Sequence, residues 1–324
     1  MLFEKQVEKI YRNSLYVRKD NLNGIFCFSP ADFPGLQTRP YDFKAAAGHD
    51  LKGYFYYYEN PIPGRLVVFD HGLGNGHRAY MKEIAELAKA GFLVYSYDHT
   101  GCMASGGENT NGFTQSLNDL DCCLRVLKAE QALADRTISV MGHSWGGFST
   151  MNICALHPEI THVVSMSGFV SVELMLQQII SGPLKFFRKS LLELERRSNP
   201  DYVAFDARNS LKNCKAKVLL IYSENDPTVC KAPHYDSLYE ALSGQENIRL
   251  LLVPNKGHNP AYTEDAVAYK DGFFETFNKA VKKKQLETPE QQKAFMDGYD
   301  WNRMTKQDET VWQQIIDHLN SSDK

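Results

Sequence analysis

The stretch Thr137-Ile-Ser-Val-Met-Gly-His-Ser-Trp-Gly-Gly147 decides the reading of this chain. Its first five residues form a short run of strand type, and a helical segment ending near Pro158 follows it. Between the two, Gly142-His143-Ser144-Trp145-Gly146 fits G-x-S-x-G in the strand–turn–helix setting that this motif requires. The physical reason is crowding. A serine on a sharp strand-to-helix turn has neighbours whose side chains would collide, and glycine at 142 and 146 removes them. The turn lifts the hydroxyl above the sheet edge, beside a helix N-terminus that stabilises negative charge. The competing reading is a serine N-cap in a glycine-rich turn.

A serine hydroxyl needs a base to become a nucleophile. Of the ten histidines, His258 stands out, because it lies in Val253-Pro-Asn-Lys-Gly-His-Asn-Pro260, a turn just after the strand-like run 248–253. That turn is expected at the same sheet edge as Ser144. His143 belongs to the serine turn and is read as supporting it, and His71 as shaping its own loop. The imidazole needs a carboxylate to fix its tautomer. Asp226 ends the run that begins at Val218 and is preferred to its rival Glu224. The order Ser144, Asp226, His258 is nucleophile, acid, base. Asp98 ends another strand but precedes the serine, so it is assigned a structural role. An oxyanion hole needs two backbone donors. Trp145 N–H follows the serine directly, and Leu73 N–H lies in the glycine-rich loop of Phe69-Asp-His-Gly-Leu-Gly-Asn-Gly76. Gly72 and Gly74 also begin a G-x-G-x-x-G pattern, but position 77 is His, which speaks against a dinucleotide site. No phosphate loop and no metal-ligand spacing occur, so neither a cofactor nor a metal is expected.

The rest of the chain gives this turn its setting. Apolar runs at 66–69, 92–97, 138–141, 163–166, 218–222 and 250–253 alternate with helical periods, such as Leu117, Leu120, Leu124 and Leu127. This predicts an α/β fold with a mostly parallel sheet and helices on both faces. Residues 42–47 and 51–58 read as a hairpin, preceded by a helix and an approach loop with Pro30, Pro34 and Pro40. A long insertion at about 168–213 is expected to be a helical cap over the site, carrying Met175, Leu176, Ile179, Phe186 and Phe187 as apolar pocket residues. The tail stripe Trp312, Ile315, Ile316 and Leu319 predicts a helix that packs on the body or on a second copy, a hint of a homo-oligomer. The expected segments are an N-terminal helical extension at 1–41, a core at 42–280 and a C-terminal helical extension at 281–324.

The 324 residues carry a net charge of −3, with 43% hydrophobic and 23% charged residues, an ordinary globular balance without the basic face of a nucleic-acid binder. Seven cysteines without C-x-x-C spacing, and a charged N-terminus with no signal-like apolar stretch, predict a cytoplasmic protein. No run of 18 apolar residues predicts a membrane span.

Together the motifs resemble the α/β-hydrolase family, in its serine aminopeptidase-like and monoacylglycerol-lipase-like branch. The resemblance rests on Asp70-His71-Gly72, Tyr97-Asp-His-Thr-Gly101, Gly142–Gly147, Asn225-Asp-Pro-Thr-Val229 and Gly257-His258, and spans roughly residues 42–280. It implies an eight-stranded sheet with a cap between strands six and seven. It also implies Ser144, Asp226 and His258 as triad and Leu73 and Trp145 as oxyanion donors. Two positions depart from the family pattern. Met103 stands where a glycine is usual, which adds bulk near the pocket, and Trp145 is larger than the usual residue after the serine.

The leading expectation is hydrolysis of a carboxylic ester with an apolar acyl or aryl group, through an acyl-Ser144 intermediate. An aminopeptidase or amidase is the alternative, and would need an acidic pocket for a free amine, with Glu173 or Glu193 available in the cap. A thioesterase or acyltransferase uses the same residues. A ligand binder of the same fold without catalysis is the reading from another class.

Overall fold

The computed structural model describes residues 2–20, 27–74 and 76–322. Among these residues, eight strands form the main sheet: β1 (Gln37–Pro40), β2 (Gly53–Tyr57), β3 (Arg65–Asp70), β4 (Leu93–Tyr97), β5 (Thr137–His143), β6 (His162–Met166), β7 (Lys217–Ser223) and β8 (Ile248–Val253). They lie in the order β1-β2-β4-β3-β5-β6-β7-β8. Only β2 runs against its neighbours; every pairing from β4 to β8 is parallel.

The apolar runs are explained by burial on both faces. In β3, Leu66 and Val68 join one core cluster while Val67 and Phe69 join another. In β7, Val218, Leu220 and Tyr222 alternate in the same way with Leu219 and Ile221. A strand with period-two side chains and helices on both faces has no polar side, so its sequence reads as a continuous apolar run. The first cluster is completed by α3 (Gln115–Ala129) and α4 (Trp145–Asn152), the second by α2 (Met81–Lys89) and α12 (Glu309–Asn320). The leucine stripe of α3 is fully buried, and Gly91 follows α2 at φ 91°, a left-handed value suited to glycine. Before α2, the N-terminal helix α1 spans Leu2–Leu15.

The hairpin differs from the sequence expectation. The partner of β2 is 37–40, with Gln37 opposite Tyr57 and Pro40 opposite Tyr54, while 43–44 and 50–51 make only a two-residue ladder inside the loop. β1 is an edge strand exposed at every residue, so it lacks the alternation that marks a strand, and its edge position tolerates Pro40.

The chain between β6 and β7 holds α5 (Val172–Ile179), a 3₁₀ turn (Gly182–Phe187), α6 (Arg188–Ser198) and α7 (Ala207–Lys212). It is anchored through Glu195, whose buried carboxylate accepts Tyr11 Oη of α1 at 2.7 Å and Phe113 N at 2.8 Å. Burial pushes this carboxyl up to about 7, against the pull of those donors.

After β8 come α8's successor helices: α8 itself (Ser237–Leu242) precedes β8, and α9 (Glu264–Lys282), α10 (Pro289–Asp297) and α11 (Trp301–Met304) follow it. Val311, Trp312, Ile315 and Leu319 of α12 are buried in the second cluster with Leu219 and Ile221. The tail stripe therefore packs on the chain's own sheet, one of the two placements expected for it. Among the described residues, no helix is long and apolar enough to cross a membrane.

Candidate active site

Ser144 sits between β5 and α4 at φ 57° and ψ −111°, a left-handed conformation that a serine seldom adopts. Its surroundings hold it there. Ser144 N donates to Met166 O at 2.9 Å, and Phe148 N donates to Ser144 O at 3.0 Å. A Cβ on Gly142 would strike the Gly146 carbonyl, and one on Gly146 would strike the Asp70 carbonyl. Both glycines are thus required by close backbone approach, for the crowding reason read from the sequence.

His258 Nε2 lies 2.9 Å from Ser144 Oγ, and its Nδ1 lies 2.8 Å from Asp226 Oδ2. Asp226 is buried, and its Oδ1 accepts Thr228 N at 2.8 Å and Val229 N at 3.0 Å. Burial alone would raise its carboxyl, but the hydrogen bond and charge of His258 and these two amides hold it below the usual carboxylate range. Glu224 is exposed, which separates the two rivals. Asn225 Oδ1 accepts Gly257 N at 3.0 Å, and Ser223 Oγ accepts Lys256 N at 3.0 Å, so the β7 and β8 loops are laced together beneath the pair. Lys256 is buried and donates to Asp308 at 2.6 Å, tying the His258 loop to the N-cap of α12.

His143 and His71 support the loops. His143 Nε2 faces the His258 carbonyl at 2.6 Å, which can only accept, so Nδ1 accepts from Tyr80 Oη at 2.9 Å. Burial, aided by the neighbouring His258 and Lys270, pushes His143 down to about 3, and the ring is neutral. His71 faces the Gly72 carbonyl through Nδ1 at 2.7 Å and accepts His99 N through Nε2 at 3.0 Å. This fixes the loop that carries Leu73. Asp98 accepts His77 N at 2.9 Å and its ring Nδ1 at 2.7 Å, so its carboxylate is engaged within its own loops.

A buried charge network under the site has no counterpart in the sequence reading. His99 Nε2 lies 2.9 Å from Asp70 and its Nδ1 lies 3.2 Å from Asp119, with all three side chains fully buried. Burial would lower the imidazole, but the two carboxylates outweigh it and push it up to about 9. A value raised above the ordinary 6.5 contributes stability that is fully present below 6.5 and lost as the pH rises through about 9. The melting temperature is expected to fall between neutral and mildly alkaline pH. His99→Leu, which leaves two buried carboxylates uncompensated, is expected to cost about 3–5 kcal/mol in urea denaturation and to flatten that fall.

A cavity of about 190 Å³ opens at Ser144, lined among others by Leu73, Tyr80, His258, Asn259, Lys270 and Phe274. Met103, Met175, Leu176, Ile179, Phe186 and Phe187, expected to line the pocket, are not among its walls. Met175 and Leu176 turn into the core cluster, because the insertion must bury its own apolar stripe. Ile179 and Phe186 point outward, at 45% and 78% exposure. Met103 adopts φ 48°, the conformation for which the family pattern supplies glycine, and its carbonyl is held by Arg18 at 2.8 Å. Trp145 spends its bulk in the core, against the His99 ring and with Nε1 on the Phe113 carbonyl at 2.5 Å. The walls come instead from the Gly72-Leu73 loop, the 3₁₀ turn His77–Tyr80 ahead of α2, the His258 loop and α9. Glu173 and Glu193 line other surface hollows, away from Ser144.

Comparison with known proteins agrees with this architecture. An esterase of Pyrococcus furiosus is similar at 20% identity, with 79% of this chain and 92% of that one covered and a TM-score of 0.55. Acetyl xylan esterase 1 of Thermoanaerobacterium is similar at 18% identity, over 72% and 80% of the two chains, with a TM-score of 0.53. Acylaminoacyl peptidase of Pyrococcus horikoshii is similar at 18% identity over 70% of this chain but only 39% of its own length, with a TM-score of 0.53. At these identities the likeness is one of fold. The sequence profile described as serine aminopeptidase, S33, matches residues 61–249, more than half of the chain. The chain belongs to that family, and is an α/β-hydrolase.

Proposed function

We propose that the protein is a serine hydrolase that cleaves carboxylic esters through an acyl-Ser144 intermediate. The observation that carries this reading is the continuous hydrogen-bonded line from Ser144 Oγ through His258 to Asp226, on a serine held in a left-handed turn. Ser144 Oγ attacks the ester carbonyl as His258 Nε2 takes its proton. Asp226 accepts the Nδ1–H throughout, which keeps Nε2 free to act as base and stabilises the imidazolium. The amides of Leu73 and Trp145 are the proposed donors to the tetrahedral oxyanion, each worth roughly 3 kcal/mol of barrier. His258 then protonates the leaving alcohol, and a water activated by the same nitrogen releases the acid.

The lining of the cavity favours an ester over a peptide with a free amino terminus. A cationic amine needs a carboxylate, and among the described residues that line the cavity there is no Asp or Glu. Phe274 and Ala79 supply an apolar part. The test is a fluorophosphonate probe read by intact mass, followed by p-nitrophenyl esters beside aminoacyl anilides. One adduct on wild type and none on Ser144→Ala, with esters turned over faster than anilides, is the expected result. An unlabelled wild type with the fold intact would favour the binder reading, and a preference for anilides would favour the peptidase.

A further inference from the structure

We infer that the substrate carries an anionic group, a carboxylate in the simplest case, and that Lys270 at the cavity wall receives it. This rests on the ester-hydrolase reading of the same site and names its substrate class.

Lys270 stands on α9 and lines the cavity together with Ser144, His258, Asn259 and Tyr262. Its ammonium donates to Asn259 Oδ1 and lies 5.7 Å from the centre of the Tyr262 ring. These two contacts fix the position of a long flexible side chain, which makes a directed charge of it rather than a solvated one. Leaving the histidines aside, it is the one ionisable side chain of ordinary positive charge among the described residues that line the cavity, and no carboxylate lines it.

Among the described residues, the acids that act on Lys270 are Asp271, Glu83 and Asp226, and none of them lines the cavity. Asp226 is committed to His258 and to two backbone amides. Glu83 is buried behind the wall, and burial pushes its carboxyl up to about 7, so it is only partly ionised near neutral pH. Asp271 neighbours Lys270 on the helix but is exposed. Burial pulls Lys270 itself down to about 8, against the influence of Asp271, Glu83 and Asp226, and it still carries most of its proton at neutral pH.

A positive group that is partly withdrawn from water beside a reacting centre favours a negative partner and disfavours a positive one. Position adds direction. His258 protonates the leaving oxygen, so the leaving group lies on the His258 side of the cavity, and Lys270 is joined to Asn259, the next residue. The anion therefore belongs to the leaving-group side of the ester.

The pair 4-acetoxybenzoate and methyl 4-acetoxybenzoate differs in that one charge. The ratio of their kcat/KM values in wild type is expected to fall by about tenfold or more in Lys270→Met, the loss typical of a charge-assisted hydrogen bond, and to persist in Lys270→Arg. Taking the ratio between variants cancels the intrinsic reactivity of the two esters, and thermal melts of the variants report whether the fold is kept. Calorimetry with Ser144→Ala gives a reading without turnover: tighter binding of the anion than of its methyl ester, and no such difference in Ser144→Ala/Lys270→Met. An unchanged ratio in Lys270→Met, or equal binding of the two esters, overturns the assignment. Wild type that binds the anion selectively but turns over neither ester overturns the acyl-serine reading alone.

Discussion

Ser144→Ala is expected to lower kcat for an activated ester by about 10⁵–10⁶-fold while the protein melts within a few degrees of wild type. The size of the effect follows from the role. Without Oγ there is no acyl acceptor, and what remains is the help of the oxyanion donors and of binding to attack by water. The small cost in stability also follows, because alanine keeps the left-handed backbone that the flanking glycines and the Met166 carbonyl enforce. His258→Ala is expected to cost a similar factor. The decisive measurement is the double variant. Groups that act as one unit lose their effect together, so Ser144→Ala/His258→Ala should be no slower than either single change. Two losses that multiply would mean that the serine and histidine act independently, and would end the acyl-serine reading.

Asp226→Asn is expected to lower kcat by about 10⁴-fold with KM little changed. The geometry dictates the failure. Asp226 Oδ1 accepts two backbone N–H groups, from Thr228 and Val229, so an asparagine must place its carbonyl there. Its amide nitrogen then faces His258 Nδ1, which can meet it only as an acceptor. The ring proton moves to Nε2, the nitrogen that faces Ser144, and the base is lost without any change of shape. Proton NMR checks this directly: the downfield Nδ1–H resonance of His258 should be present in wild type and missing in Asp226→Asn. A variant that keeps both the resonance and the rate would show that another carboxylate supports the ring. Glu224→Gln, at an exposed residue, serves as the control and should leave both unchanged.

What could be read from the sequence was whatever a single segment carries. The apolar runs of β3 to β8 and the glycines around Ser144 each announce themselves locally, because burial on both faces and a tight turn are local demands. His258 and Asp226 were found by their places after strands. The remaining cavity walls were not. Lys270 and Phe274 stand on α9, where a lysine and a phenylalanine among Asp, Tyr and Glu look like any half-exposed helix face. The insertion stands out by its length and its apolar stripe, but that stripe is needed to hold Met175, Leu176, Leu191 and Leu194 in the core. The charged triad of Asp70, His99 and Asp119 was illegible for a different reason. Its three members come from the ends of β3 and β4 and from α3, and only the completed sheet brings them together.

The left-handed turn at Ser144 settles when the cost of orientation falls due. Aligning a nucleophile with its base and its target consumes freedom that a reaction in solution must surrender at every encounter. Here that freedom is removed while the sheet forms, by the bond from Ser144 N to the β6 carbonyl of Met166 and by backbones packed too closely for a side chain at 142 or 146. On the proposed mechanism, folding meets the entropy of alignment once, and each later substrate finds the hydroxyl already aimed.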